Sequence, residues 1–378
     1  MIFLDNASTT RIDDEVNELI FNVNSLQFYN PAALYKPSLE IANRIEEEKM
    51  LLCENLGCNS NNLFFTSGAT EANNSVIKGF LTSNKQAEYV FSVGEHPSVY
   101  EVANNLKNSG YIVHFVNLTQ SGQVDIKHFK SLLNKNTHFI SIMHVSNETG
   151  AINDIKTLCK LAKSVNPNVI FHSDGVQAVG KIKVNLKDLG IDAYSISAHK
   201  FYGPKGVGAL FIKNLNKFKP LLLGGGQQLG VRSGTENVSG SLGLCFALNK
   251  TIKNLEENYN KINGFRKHFI TEISNNLINF SINGKEDVSP YILSVSFKNL
   301  KGEVLLHMLE DEGVLIGNGS ACSSKKSDNR VLKNMKLDKS YIEGSIRISF
   351  ASYNTQSEIE VASEKLIKVV KELTKKVA

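Results

Sequence analysis

SISAHKFYGPKGVGALFI, residues 195–212, decides how the chain is read. The approach to it, IDAYSIS (191–197), alternates in β fashion and is almost uncharged. Its exit, GPKGVG (203–208), is turn chemistry. Lys200 therefore falls at the end of a buried strand, where a solvated lysine would be out of place. Taken alone, the window also admits a lysine that snorkels from a strand end.

Working outward, apolar runs that read as strands alternate with amphipathic runs that read as helices. The strands are Leu63–Phe65, Tyr89–Ser92, Ile112–Val116, Phe139–His144, Val169–Ser173, Ala193–Ser197 and Ala209–Ile212. Between them, helices are predicted at Ile41–Leu56, Glu71–Leu81, Val99–Asn108, Ile126–Leu133 and Ile155–Ser164. This order predicts an α/β fold: a mostly parallel, seven-stranded sheet with helices on both faces, binding its ligand at the carboxyl ends of the strands. Beyond about residue 250 the texture changes. One long helical pattern, Leu242–Phe269, leads to short strands at 292–297 and 345–350 and a helix at Glu358–Lys375. We divide the chain into a large domain, 16–254, and a smaller α+β domain made of 1–15 and 255–378.

The 378 residues are 42% apolar and 21% charged, with a formal charge of +5 spread along the chain. That describes a globular protein without a nucleic-acid footprint. No apolar run reaches about 18 residues, and MIFLDNASTT lacks a basic, apolar leader, so neither a membrane span nor a signal peptide is expected. The five cysteines include no C-x-x-C pair, which argues against a disulfide framework or closed zinc site and for the cytoplasm.

Several strand ends carry residues that could do chemistry. TSGATEANNS (66–75) puts a Ser-Gly turn before a helix, leaving the N–H groups of Ala69 and Thr70 free for an anion, or making an ordinary βα turn. In FHSDGVQAVG (171–180), Asp174 is a carboxylate at a strand end that would need a cationic partner; the alternative is a helix cap by Ser173 or Asp174. Gln177 follows one turn later. His96 in SVGEHPSV could stack or move protons, or be structural. Asn147 in SIMHVSNETG could bind a ligand or serve a turn. The glycines of LLLGGGQQLGVRSGTEN (221–237) lack the dinucleotide order, whereas Arg232 to Thr235 could touch a phosphate. Cys322, among small polar residues with two lysines close behind, reads as a reactive thiolate. Cys53, Cys58, Cys159 and Cys245 read as inert.

The ordered set TSGATE, GEH, SNETG, HSDGVQ, SAHKxxGPKG, RSGT, GSACSS and SIRIS resembles the cysteine desulfurases of the NifS/IscS type, in the class V aminotransferase family. The resemblance runs from LDNASTT to SIRISF and implies the aspartate-aminotransferase-like fold, PLP fold type I. It implies that Lys200 holds pyridoxal phosphate as a Schiff base and moves protons. His96 would stack on the ring as acid/base, Asp174 would pair with the ring nitrogen, and Gln177 and Asn147 would position the ring. Ala69, Thr70, Ser197 and His199 would cradle the phosphate. Thr235 would reach the phosphate of the second subunit of a homodimer, and Arg347, helped by Asn147, would clamp the substrate carboxylate. The Cys322 thiolate would take sulfur from L-cysteine as a persulfide, releasing alanine. That sulfur would pass to an acceptor protein, an Fe–S scaffold or a tRNA-thiolation enzyme; the alternative is a selenocysteine lyase or another PLP enzyme of the same fold. The long segment from Gly317 to about Gly344 resembles the loop of the branch whose loop carries sulfur outward. Two departures stand out: Tyr35, near the active-site mouth, and Gly175 where alanine is frequent. Little consequence is expected of the second.

Overall fold

The computed structural model describes residues 1–285, 287–319 and 329–377. Its strands, in chain order, are β1 (Ile2–Leu4), β2 (Leu63–Thr66), β3 (Glu88–Ser92), β4 (Ile112–Val116), β5 (Thr137–Ser141), β6 (Ile170–Asp174), β7 (Ala193–Ser197), β8 (Gly208–Ile212), β9 (Phe280–Asn283), β10 (Ile292–Phe297), β11 (Val314–Asn318) and β12 (Ser345–Ser349). Seven of them form one sheet in the order β2-β8-β7-β6-β5-β3-β4. All run parallel except β8, which is antiparallel to both β2 and β7.

The pleat explains why these strands read as near-continuous apolar runs. Successive side chains point to opposite faces, and both faces are covered. Tyr89, Phe91 and Phe139 pack against the helices Ala69–Gly79 and Pro97–Asn108. Their neighbours Val90 and Ile140 enter the opposite core, with Ile45 and Leu52 of helix Lys36–Leu56 and Leu244 and Leu248 of helix Val238–Lys253.

A second, five-stranded sheet has the order β1-β11-β12-β10-β9. Its core joins Leu293, Val295, Ile346 and Ile348 to Ile262, Phe265 and Phe269 of helix Leu255–Asn276 and to Leu366 and Val370 of the last helix, Gln356–Val377. The long helix predicted over Leu242–Phe269 is two helices, which meet at Asn254 (φ −105°, ψ 15°). The Asn254 amide donates back to the Lys250 carbonyl, as asparagine does at helix ends. The break turns the chain from the core of one sheet to that of the other. The segment after Gly317 is likewise not one long loop: Arg330–Asn334 and Lys339–Ile342 are helical. Among the described residues, no helix is long and apolar enough to cross a membrane.

Candidate active site

The parallel strands all end on one side of the large sheet, and there a cleft of about 580 Å³ opens. Lys200 closes a 3-10 turn, Ala198–Lys200, directly after β7. Its amine donates to the carbonyls of Ala7 (2.7 Å) and Ser8 (2.5 Å). Those carbonyls belong to the segment leading from β1, so the N-terminus brings the lysine's partners into the cleft.

Asp174 is the last residue of β6 and is 4% exposed. It caps no helix, and its oxygens accept from neutral donors: the Asn73 amide at 2.8 Å and the Val176 N–H at 3.0 Å. The same Asn73 amide donates to Ser98 Oγ (2.8 Å), which in turn lies 2.8 Å from His96 Nδ1. The Ser98 N–H also donates to His96 Nδ1, at 3.2 Å. Nδ1 is thus an acceptor, which places the proton of the neutral ring on Nε2. His96 borders the cleft and is accessible from it, yet is ringed by protein. That burial lowers its pKa, and the Lys200 and Arg330 charges act in the same direction against the opposing Asp174. Asn73 carried no sequence signal beyond its place in TSGATEANNS.

At the far wall the helix Ala69–Gly79 begins at Gly68 (φ +146°), with no side chain capping its N-terminus. The free N–H groups of Ala69 and Thr70 therefore face the cleft beside Ser197 and His199, with Lys205 at the same wall. His199 Nδ1 lies 3.1 Å from Thr9 Oγ1. Burial, then Lys200 and Lys205, push its pKa down to about 4, so it is neutral near pH 7.

Arg347, on β12, reaches the cleft from the smaller sheet. It is 5% exposed, donates to the Asn147 carbonyl (2.9 Å) and pairs with Asp5 at 2.7 Å. Among the described residues its buried Nε has no partner. Gln177 donates to the Ala7 carbonyl (2.9 Å) and accepts from Lys181 (2.5 Å). Lys181 escaped the sequence reading. Burial, then the charges of Lys200 and Arg347, drive its pKa well down. Glu95 was also missed. It is 1% exposed and accepts from the Met143 N–H at 2.7 Å, and burial, then Asp174, push its pKa well up. Only its motif, GEH, could have pointed to it.

The structure thus brings Lys200, His96, Asp174, Gln177, Asn147, Ala69, Thr70, Ser197, His199 and Arg347 to one cleft. Thr235 lies outside it, in an adjoining recess with Ser67, Gly206 and Arg232. Tyr35 is 54% exposed and does not line the cleft. Cys322 lies outside the described residues. Gly175 corrects an expectation: a Cβ there would stand 1.9 Å from the Tyr194 ring, so alanine does not fit without repacking.

These residues fit pyridoxal phosphate. Among the described residues the helix N-terminus is uncapped, which suits the phosphate; an amine suits the aldehyde, and a buried carboxylate held by neutral donors suits a protonated ring nitrogen.

The family model for class-V aminotransferases matches residues 2–361. A protein named cysteine desulfurase IscS from Dictyoglomus turgidum is 36% identical over 376 residues, covering 98% of this chain and 95% of its own. One of the same name from Clostridium botulinum is 35% identical, covering 98% and 94%. A solved structure titled NifS-like protein superposes with a TM-score of 0.92 at 31% identity, over 98% of this chain and all of that one. With its cleft built from TSGATE, GEH, SNETG, HSDGVQ, SAHK and SIRIS, the chain belongs to the class-V aminotransferase family.

Proposed function

We propose that this protein is a pyridoxal-phosphate-dependent cysteine desulfurase. One observation carries the reading: an amine (Lys200), a buried carboxylate (Asp174), an uncapped helix N-terminus (Ala69, Thr70) and a guanidinium (Arg347) converge on one cleft. The relatives' names supply the substrate, L-cysteine.

Ala69, Thr70, Ser197 and His199 would hold the phosphate, Asp174 the ring nitrogen, Gln177 and Asn147 the ring's oxygen side, and Lys200 the aldehyde carbon. When bound, the cofactor supplies an electron sink for the bond broken at Cα. The neutral His96 ring would lie against it. Lys200, once free, takes and returns the Cα proton, because its amine sits at the cleft floor. Arg347 is suited to a carboxylate by its two-pronged donor geometry, and Asp5 anchors it through Nη2. Cys322 would be the nucleophile. Its thiolate takes the substrate's sulfur, so cysteine plus one thiol becomes alanine plus one persulfide, with no net oxidation.

Thr235, on the edge of the recess beside Ser67, would reach the phosphate of a second subunit in a homodimer. The division into 16–254 and 1–15 with 255–378 belongs to this reading, as does delivery of sulfur to an Fe–S scaffold or tRNA-thiolation protein in the cytoplasm.

Alanine release from L-cysteine, with pyridoxal phosphate and a reductant present, tests the proposal. The wild type releases alanine. Cys322→Ala stays yellow with cofactor but loses at least about 100-fold in rate. Lys200→Ala loses both the activity and the internal-cofactor absorbance. A yellow wild type inactive on cysteine would overturn the substrate assignment.

A further inference from the structure

At the other end of the large sheet lies a second cavity, of about 400 Å³. It sits by the amino ends of β2 and β7, away from the carboxyl end where Lys200 follows β7. Its lining includes Cys53, Cys58, Asn62, Leu186, Lys187 and Lys213.

The two cysteines are brought together by a helix ending. Helix Lys36–Leu56 stops at Gly57, which is left-handed (φ 68°). The Cys58 N–H donates to the Cys53 carbonyl (2.9 Å) and the Gly57 N–H to that of Glu54 (3.2 Å). This pair of bonds is the Schellman motif, which sets the side chains at positions 53 and 58 against each other. Usually that contact is between two apolar groups. Here it is between two thiols, and both residues line the cavity.

The two thiols are not equivalent. Cys53 is 1% exposed, whereas Cys58 is half-buried and opens on the cavity. Lys49 precedes Cys53 by one helical turn and is itself 8% exposed; its only ion pair among the described residues is a 3.5 Å contact with Glu46. The neighbouring Cys53 thiol, then Lys49, lower the Cys58 pKa against its burial, while the Cys53 pKa is raised. Lys187, Lys213 and Glu54 are the charged side chains on the cavity wall.

We infer that Cys58 and Cys53 form a peroxide-reactive dithiol, with Cys58 the attacking thiolate and Cys53 the resolving thiol. The Cys58 sulfur attacks one oxygen of a hydroperoxide. The O–O bond breaks, two electrons pass to the peroxide, and an alcohol or water leaves with a proton. The Cys53 sulfur then attacks the Cys58 sulfenic sulfur, and its proton departs with the oxygen as water. Two thiols and one peroxide become one disulfide, one alcohol or water, and one water. The other two described cysteines lack this arrangement. Cys159 donates to the Gly190 carbonyl (3.3 Å), and burial pushes its pKa up to about 11; Cys245 is buried and raised too. The sequence reading grouped Cys58 with them because the chain shows only C-x4-C, a spacing with no meaning until Gly57 turns it.

The test uses the whole protein. Iodoacetamide at neutral pH labels Cys58 roughly tenfold faster than Cys53, Cys159 or Cys245. One equivalent of hydrogen peroxide makes the tryptic peptide carrying both residues lighter by two hydrogens. In Cys53→Ser one equivalent leaves Cys58 as a sulfenic acid and a second takes it on to sulfinic acid, and Lys49→Gln moves the pH midpoint of Cys58 labelling upward. The inference is overturned if wild-type Cys58 labels no faster than Cys159, or if peroxide leaves both residues as thiols or joins either to another cysteine.

Discussion

At the scale of single residues, the site shows how much rests on side chains that no motif announces. Asp174 is held by Asn73, and Asn73 reaches Ser98 and through it His96. Gly175 is a second case. Its Cα lies against the Tyr194 ring, and a Cβ would stand 1.9 Å from Cε1 and 2.1 Å from Cζ. Tyr194 cannot retreat, because it is fully buried and its hydroxyl bonds His144 Nδ1 at 2.7 Å. Gly175→Ala should therefore cost about 1–3 kcal/mol in urea unfolding, as overpacking does. A double-mutant cycle checks the cause. Tyr194→Ala is costly alone, and the pair should cost less than the sum by at least about 0.5 kcal/mol. Additive costs would mean that the glycine serves backbone conformation instead.

Elements were legible where one local pattern decided them. Strands β4 and β7 lie on the residues that alternation and β-branching mark out, 112–116 and 193–197. The short β1 was not legible, since three residues carry no period and their partner Val314–Ile316 is far along the chain. Helix Asp14–Leu26 was missed too. Its face was nonetheless in the sequence: Val16, Leu19, Ile20 and Val23 recur at i, i+3, i+4 and i+7 and turn to the core, while Phe21 is exposed. The lysine, the carboxylate and the helix N-terminus of the cleft could be read because each closes a strand. Arg347's dependence on Asp5 could not, because it arises where two distant strands meet. At this scale the close approach of β8 to the phosphate wall is open to test. A Cβ on Gly208 would stand 2.5 Å from the Ile196 carbonyl oxygen and 2.7 Å from Gly68 Cα. Gly208→Ala must push Gly68 and the helix start outward. We expect about 1–3 kcal/mol of lost stability. Pyridoxal phosphate affinity, measured by titrating the cofactor-free protein, should fall by roughly tenfold, equivalent to about one hydrogen bond to the anion. Gly264→Ala serves as control: it lies mid-helix with nothing within 4 Å of its Cβ, and should stabilise by about 0.5–1 kcal/mol.

For the molecule as a whole, the large sheet stores titratable groups in their neutral forms, and this couples stability to pH. His172 bridges Ser141 and Ser195 (2.8 and 3.0 Å), His144 bonds Tyr194, and His199 meets Thr9. Burial comes first among the causes in each, and their pKa values fall to about 3, 4 and 4 respectively. A histidine whose folded pKa lies below its unfolded value, about 6.5, takes its proton only on unfolding. The unfolded chain then binds more protons, so stability is complete above that unfolded pKa and drains away as pH falls toward the folded ones. Glu95 opposes this. Its folded pKa is raised, so it favours the fold at low pH by one proton. His96 and Lys181, lowered by burial as well, act in the same direction as the three histidines, so against one carboxyl the net uptake on unfolding is at least about two protons, each worth at most about 1.4 kcal/mol per pH unit. Urea unfolding at pH 7, 6 and 5 should therefore show a falling midpoint at constant m value. His172→Asn, which keeps a donor between the two serines, should flatten that slope by up to one proton. A midpoint that holds steady from pH 7 to 5 would mean that these imidazoles are already charged in the folded protein, with water reaching the underside of the strands that carry Asp174 and Lys200.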